Sequence, residues 1–319
     1  MTTESPLSSS EEEIINAVLY FSSGLSLLGS LFIIFTYILF KETRTFGTKL
    51  IFFLSIADFC AALSWFPWNV NSTLCTVQAS ILQFSEIASY MWSFVISFSL
   101  FQVFFLEHQE EPGKRFVLYH TISWGYPAIT VVLSVFFNRF GKAGSWCWIA
   151  DPRDPFRLFV YGTLVIVASF TIFCLISIRL KMKHIESDFK RILNKRLRLY
   201  VLAFLITQLP AVVNRLQNAV QPDKPIFWLF LLQAIFQPSH GLVNCLVYGF
   251  SEDQFVEHYK LTFHELKVLC KGSSWCPCCG KRKSKNLEEV PIFNYDYYDD
   301  DDYDSSNADA HSMHSAGVT

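Results

Sequence analysis

Three charged side chains, Asp58, Glu86 and Arg215, sit inside long apolar stretches of this 319-residue chain, and His240 lies in another. A charge in an apolar helix is costly unless it pairs or faces a watery cavity, so each marks an ion pair, a polar cluster or a ligand contact. Arg215 presents a planar fork of donors suited to a carboxylate or a phosphate. Glu86 lies eleven residues past Cys75, and Arg215 seven before Pro222. At 1.5 Å per helical residue they lie about 16 and about 10 Å from one face. Two readings follow. Either Glu86 and Arg215 pair, or Arg215 meets a small anionic ligand. Gln233, Gln237, His240, Asn244 and Tyr248 recur in steps of four, three, four and four, one face of a helix. Glu86, Tyr90, Ser93 and Ser97 form a similar stripe. Glu86, Tyr90, Arg215, Gln233 and Gln237 are therefore candidate ligand contacts. Asp58 and Asn244 lie nine residues from Lys49 and seven from Ser251, about 13 and about 10 Å from the opposite face. With His240 and Tyr248 they form a candidate switch cluster. The plainer alternative is polar glue between helices.

Cysteine supplies the second chemistry. Cys75 opens one apolar span and Cys147 sits in Trp146-Cys147-Trp148, in a loop on the same side of the membrane. That side is expected to be outside and oxidising, so the two are expected to form a disulfide. Cys276, Cys278 and Cys279 precede Lys281, Arg282 and Lys283. A cysteine cluster beside basic residues at a membrane suits acylation. Zinc is the lesser alternative, because the spacing departs from the paired CxxC arrangement. No metal or cofactor is expected.

The elements that must position these groups follow from composition. The chain is 51% hydrophobic and only 17% charged, against about 25% charged in soluble domains. The apolar residues fall in seven runs: Ile14–Phe40, Leu50–Val70, Cys75–Leu106, Phe116–Asn138, Leu158–Ile178, Leu199–Gln221 and Pro225–Ser251. Each has the roughly 20 residues that cross a bilayer, and lipid forces each to satisfy its own backbone as a helix. Twenty Lys and Arg residues fall on one side of these spans and five on the other. Basic loops stay cytoplasmic, so the amino terminus is expected outside. No cleavable signal peptide is expected, because the first apolar run is too long and lacks a basic start. The expected organisation is a short outer terminus over 1–13, a seven-helix domain over 14–251, an amphipathic surface helix over 252–270 and a disordered tail over 271–319. The fold class is an all-α membrane protein, a seven-helix bundle with an amphipathic eighth helix. Asn71-Ser72-Thr73 matches a glycosylation acceptor, read as unused because it lies close to the membrane.

Enzyme motifs are absent: there is no HExxH, no GxSxG and no phosphate-binding glycine loop. Pro225–Ser251 has no lysine, which excludes a retinal Schiff base in that span. A seven-helix transporter is the alternative function, but internal repeats are not visible.

Several segments together resemble one family. They are Leu54-Ser55-Ile56-Ala57-Asp58-Phe59, Trp124-Gly125-Tyr126-Pro127, Trp146-Cys147-Trp148, Asn214-Arg215, Ile226-Phe227-Trp228, and Asn244 through Tyr248-Gly249-Phe250. In this order they resemble the cyclic-AMP-receptor-like G-protein-coupled receptors, a group related to slime-mould cyclic-AMP receptors and to the secretin and adhesion receptors. The resemblance spans roughly 14–260. It implies a plasma-membrane receptor that passes the binding of an extracellular small molecule to a heterotrimeric G protein, with no role in nucleic-acid binding. The chain departs from rhodopsin-type receptors: Leu106-Glu107-His108 stands where Asp-Arg-Tyr is usual, and helix seven lacks Asn-Pro-x-x-Tyr. The large hormone-binding ectodomain of secretin receptors is also missing from this sequence, so peptide capture by such a domain is not expected.

Overall fold

A computed structural model describes residues 8–41, 44–66, 72–105, 115–181, 188–221 and 224–249. Serine opens the first helix. Ser8 caps α1 (Ser9–Leu39) in a capping box with Glu11, and Thr45 does the same for α2 (Phe46–Trp65) with Thr48. These caps satisfy amide donors that a helix start leaves free. The long α3 (Ser72–Phe104) follows. It packs against α1's neighbour α2 on one side and against later elements on the other. The fourth apolar run is helical in three pieces: α4 (Phe116–His120), a π turn over Thr121–Gly125, and α5 (Tyr126–Phe136). Pro127 explains the break. It has no N–H to give the carbonyl four residues back, and the widened turn re-registers the ladder. Then come strands β1 (Phe140–Lys142) and β2 (Cys147–Ile149), α6 (Leu158–Lys181) and α7 (Asp188–Val220). The last described elements are α8 (Phe227–Phe236), α9 (His240–Asn244) and a π turn over Cys245–Gly249.

Among the described residues, five helical segments are long and apolar enough to cross a membrane, ending with Pro155–Lys181; Phe227–Phe236 is a shorter apolar helix. The chain is thus a mainly helical membrane protein. Two expectations change. The fold is not purely helical, because β1 and β2 pair antiparallel with Phe140 opposite Ile149 and Lys142 opposite Cys147. The last span is not continuous either. Residues 237–239 form a turn between α8 and α9, since Pro238 cannot donate to the Ala234 carbonyl.

Helix α1 repairs that break. The Ser22 hydroxyl lies 2.8 Å from the Ala234 carbonyl and equally from that of Val18 in its own helix, so its one proton is shared between them, and the Gly241 amide donates to Ser26 Oγ at 2.9 Å. Ser22, Ser23, Ser26, Gly29 and Ser30 are all buried on one stripe of α1. Small residues let the two backbones approach, and their hydroxyls serve carbonyls freed by proline. A Cβ added at Gly29 would sit 2.8 Å from Leu242 Cα, and one at Gly241 would strike Ser30 Oγ and come within 2.9 Å of the Ser26 carbonyl. Gly241→Val is therefore expected to destabilise by about 1–3 kcal/mol, the usual cost of overpacking. Gly24 has open space around it, so Gly24→Ala should be tolerated. Thermal melts of the two purified variants check the contrast; equal melting temperatures would contradict the close contact.

Residues Met1–Leu266 cluster as one unit and Lys267–Thr319 as a second; all described residues belong to the first. The expected surface helix over 252–270, the cysteines Cys276, Cys278 and Cys279, the acidic tail and Asn71 lie outside the described residues. Of Tyr248 only the backbone is described.

Candidate functional site

Two aromatic residues and a disulfide roof one end of the bundle. Cys75, near the start of α3, is bonded to Cys147 on β2, as the sequence leads one to expect. The hairpin turns through Ala143–Trp146, where Gly144 takes a φ of +89° that side chains rarely adopt. In a strand, alternate residues share a face. Trp146 and Trp148 therefore project together, opposite Cys147, and all three are buried.

Both indoles face Arg215. Its guanidinium carbon lies 4.9 Å from the Trp146 ring centre, 5.8 Å from Trp148 and 5.6 Å from Phe230 of α8. Cation–π attraction supports the charge there. Yet Arg215 is only 3% exposed, and among the described residues none of its three guanidinium nitrogens has a well-directed hydrogen-bond partner, though the Tyr161 side chain of α6 approaches it. The pairing with Glu86 does not form. Glu86 instead accepts from Trp65 Nε1 and from the Tyr90 hydroxyl, both at 2.8 Å. Those two neutral donors satisfy the carboxylate from α2 and from its own helix, and Arg215 is held apart among the rings. Tyr161 of α6 stands within electrostatic reach of both Glu86 and Arg215. A cavity of about 20 Å³, room for about one water, is lined by residues including Trp65, Glu86, Trp146, Trp148, Tyr161 and Gln237.

From this roof a polar chain runs inward. Asn214 Nδ2 donates to Gln233 Oε1 at 2.6 Å, and Gln233 Nε2 donates to Gln237 Oε1 at 2.8 Å. Gln237 in turn approaches Glu86 and Tyr90. The Tyr90 hydroxyl also lies 2.8 Å from Gln208 Oε1. It has one proton for two acceptors, and Gln208 Nε2 has no partner. Turning that amide over lets Nε2 donate to the hydroxyl and satisfies all three groups.

A second cluster lies deeper. Asp58 Oδ2 accepts from Asn244 Nδ2 at 2.7 Å and Asp58 Oδ1 from Ser89 Oγ at 2.6 Å. His240 Nδ1 is 3.7 Å from Asp58 Oδ1 and 3.3 Å from Ser89 Oγ. Asp58, His240 and Asn244, singled out in the sequence, thus meet across α2, α3 and α9. Sequence reasoning missed Ser89, Trp65 and Gln208, and it named Trp146 and Trp148 only as part of a motif, with no role at the site. Ser89 stands three residues after Glu86, a step that shares a helix face, and that signal was available. Trp65 had none, because nothing in an apolar run says which aromatic turns inward, whereas Gln208, a polar side chain in such a run, was a signal left unused. Cys60, Cys174 and Cys245 are free. Among the described residues, no three His, Cys, Asp or Glu side chains are grouped to hold a metal.

Residues 7–270 match the family model described as slime mold cyclic AMP receptor. Cyclic AMP receptor-like protein A of Dictyostelium discoideum is 38% identical over 311 residues, covering 94% of this chain and 81% of that protein. G-protein coupled receptor 1 of Arabidopsis thaliana is 26% identical, covering 79% of this chain and 82% of the relative. Cyclic AMP receptor 1 of Dictyostelium discoideum is 23% identical, covering 70% and 60%. The matched segment contains the bonded hairpin, Arg215 beneath its two indoles, and the Asp58 cluster, and by that match the chain belongs to the slime mold cyclic AMP receptor family.

Proposed function

We propose that this chain is a plasma-membrane G-protein-coupled receptor with seven spans, its amino terminus outside, that passes the binding of a small anionic ligand to a heterotrimeric G protein. The spans are α1, α2, α3, the α4–α5 stretch, α6, α7 and the broken α8–α9 stretch. An amphipathic helix over 252–270, acylated through Cys276, Cys278 or Cys279, completes the inner face. The basic segment Arg179–Arg198, which includes the end of α6 and the start of α7, serves as a coupling surface. Relatives named as cyclic AMP receptors and as a G-protein coupled receptor support the class.

One observation carries the ligand reading: a buried guanidinium set among aromatic rings and beside the Tyr161 side chain, with no well-directed hydrogen bond to its nitrogens among the described residues. An anion would occupy that fork and compete with Glu86 for the donors of Tyr90, Gln233 and Gln237. The 20 Å³ cavity admits only a water, so a ligand enters by moving Trp146 or Trp148 aside. That displacement passes along α8 to Asp58, His240 and Asn244, with Tyr248 beyond them. Two packings that bind the anion unequally then shift in population.

The test is a second-messenger assay against a panel of G-protein chimeras, with candidate anions that include cyclic nucleotides, carboxylates and phosphates. Arg215→Ala is expected to raise the half-effective concentration roughly 10- to 100-fold, the worth of a hydrogen-bonded charge. Arg215→Lys keeps the charge and loses the fork, so it should fall between. Equal potency on all three at matched surface levels would assign Arg215 a structural role.

A further inference from the structure

Gln83 of α3 is fully buried, and it lines the cavity beneath the roof. Its amide has one orientation. Nε2 lies 3.2 Å from the Thr130 carbonyl and 2.9 Å from Ser134 Oγ, both on α5, and Ser134 gives its own proton to that carbonyl at 2.8 Å. Both neighbours therefore act as acceptors, and only the two hydrogens of Nε2 suit them. Gln208 differs, because there turning the amide over completes the bonding. Among the described residues, Gln83 Oε1 is left as a buried acceptor without a donor, and such a group is costly to leave bare.

Glu86 stands three residues further along α3 and lines the same cavity, since a step of three shares a helix face. Oε1 takes a hydrogen bond from Trp65 and Oε2 one from Tyr90, whereas a carboxylate has room for about four. This wall of the cavity is short of donors. Arg215 is the converse, a fork short of acceptors. The two features adjoin: Trp146, Trp148 and Tyr161 line the cavity, and the same three side chains approach the guanidinium. Size decides what enters the cavity. A volume of about 20 Å³ holds a group as large as one water. An ammonium or a hydroxyl is that small; a carboxylate or a phosphate is not.

We propose that this cavity is a subsite for a hydrogen-bond donor of the ligand, with Gln83 Oε1 and the Glu86 carboxylate as its acceptors. The inference rests on the anionic-ligand reading above and narrows it. The ligand carries an acid group for Arg215 and, close to it, an ammonium or a hydroxyl for Gln83. Amino acids and hydroxy acids have both. The indoles that line the cavity add attraction for an ammonium. Discrimination follows from the same geometry: an analogue without the donor leaves Gln83 Oε1 unpaired in the complex, and a site built for a hydrogen bond rejects such an analogue.

The test uses the purified full-length chain in lipid nanodiscs and three probes of one carbon skeleton: propionate, lactate and alanine. Each is titrated and followed by thermal shift and by tryptophan emission, since Trp65, Trp146 and Trp148 line the cavity. The expected half-effect concentration is about tenfold lower for lactate and for alanine than for propionate, the worth of one buried hydrogen bond. Either order of lactate and alanine supports the subsite and names its donor. Gln83→Met should bring the three probes together. Ser134→Ala keeps Oε1 and the Thr130 carbonyl, so it should retain the preference. Equal concentrations in the parent overturn the subsite; if the equal responses vanish in Arg215→Ala, the anion reading survives and the cavity holds water only. No response to any probe, or responses indifferent to Arg215→Ala, overturn the anion reading and the subsite together. A preference that persists in folded Gln83→Met, or that is lost equally in Ser134→Ala, overturns the role of Gln83. Should Gln83→Met fail to fold, the ranking of the three probes on the parent decides.

Discussion

Cys147→Ser is expected to cost about 4 kcal/mol, the chain-entropy value for opening a loop of this length; the two cysteines are 72 residues apart. The consequences reach beyond entropy. Cys147 is the covalent tie between β2 and α3, and Trp146 and Trp148 flank it in sequence. Without the bond, the indoles that surround Arg215 lose their anchor, and a buried guanidinium supported only by rings is exposed to water. The variant should therefore melt lower and lose any response to ligand together. Cys60→Ser is the control, because Cys60 is free and only half-buried. Thermal melts and non-reducing peptide maps of surface protein check this. A Cys147→Ser protein that melts with the parent would show that the hairpin is held by packing alone.

Asp58→Ala should be about as damaging. Ser89, Asn244 and His240 all turn toward this carboxylate, and removing one member of a buried charged cluster typically costs about 3–5 kcal/mol. Asp58→Asn keeps the shape and one acceptor, and should cost about 1–2 kcal/mol, as for a single buried hydrogen bond. The expected pattern is poor surface expression for Ala and near-normal expression for Asn. At matched surface levels Asp58→Asn should change basal or ligand-driven signalling, since it removes the charge that ties α9 to α2. Unchanged signalling would leave the cluster a packing element.

Helix existence and the outline of the site were legible in the sequence because lipid simplifies the problem. A chain in hydrocarbon must satisfy its backbone locally, so an uncharged run of sufficient length reads as a helix wherever it packs. Cost does the same for polar groups: Asp58, Glu86, Arg215, His240 and Asn244 stood out because each is expensive in such a run. Membership of one helix face was equally visible, and Gln233, Gln237, His240 and Asn244 do all turn inward.

Partnership was not legible. Depth along a helix follows from residue counting, but rotation about the helix axis and the choice of neighbour depend on packing between helices. Glu86 and Arg215 were compatible in depth, yet Trp65 and Tyr90 reach the carboxylate first and the rings of Trp146, Trp148 and Phe230 enclose the guanidinium. The break at Pro238 could be read as a kink, whereas its repair by Ser22 and Ser26 depended on how closely α1 approaches, which is set by Gly29 and Gly241. The sequence by itself determined which segments are helical and which side chains are too costly to be idle. Only the tertiary structure decided which of those side chains satisfy one another, because hydrogen bonds and ring contacts act over a few ångströms and their partners lie as far as 215 residues apart along the chain.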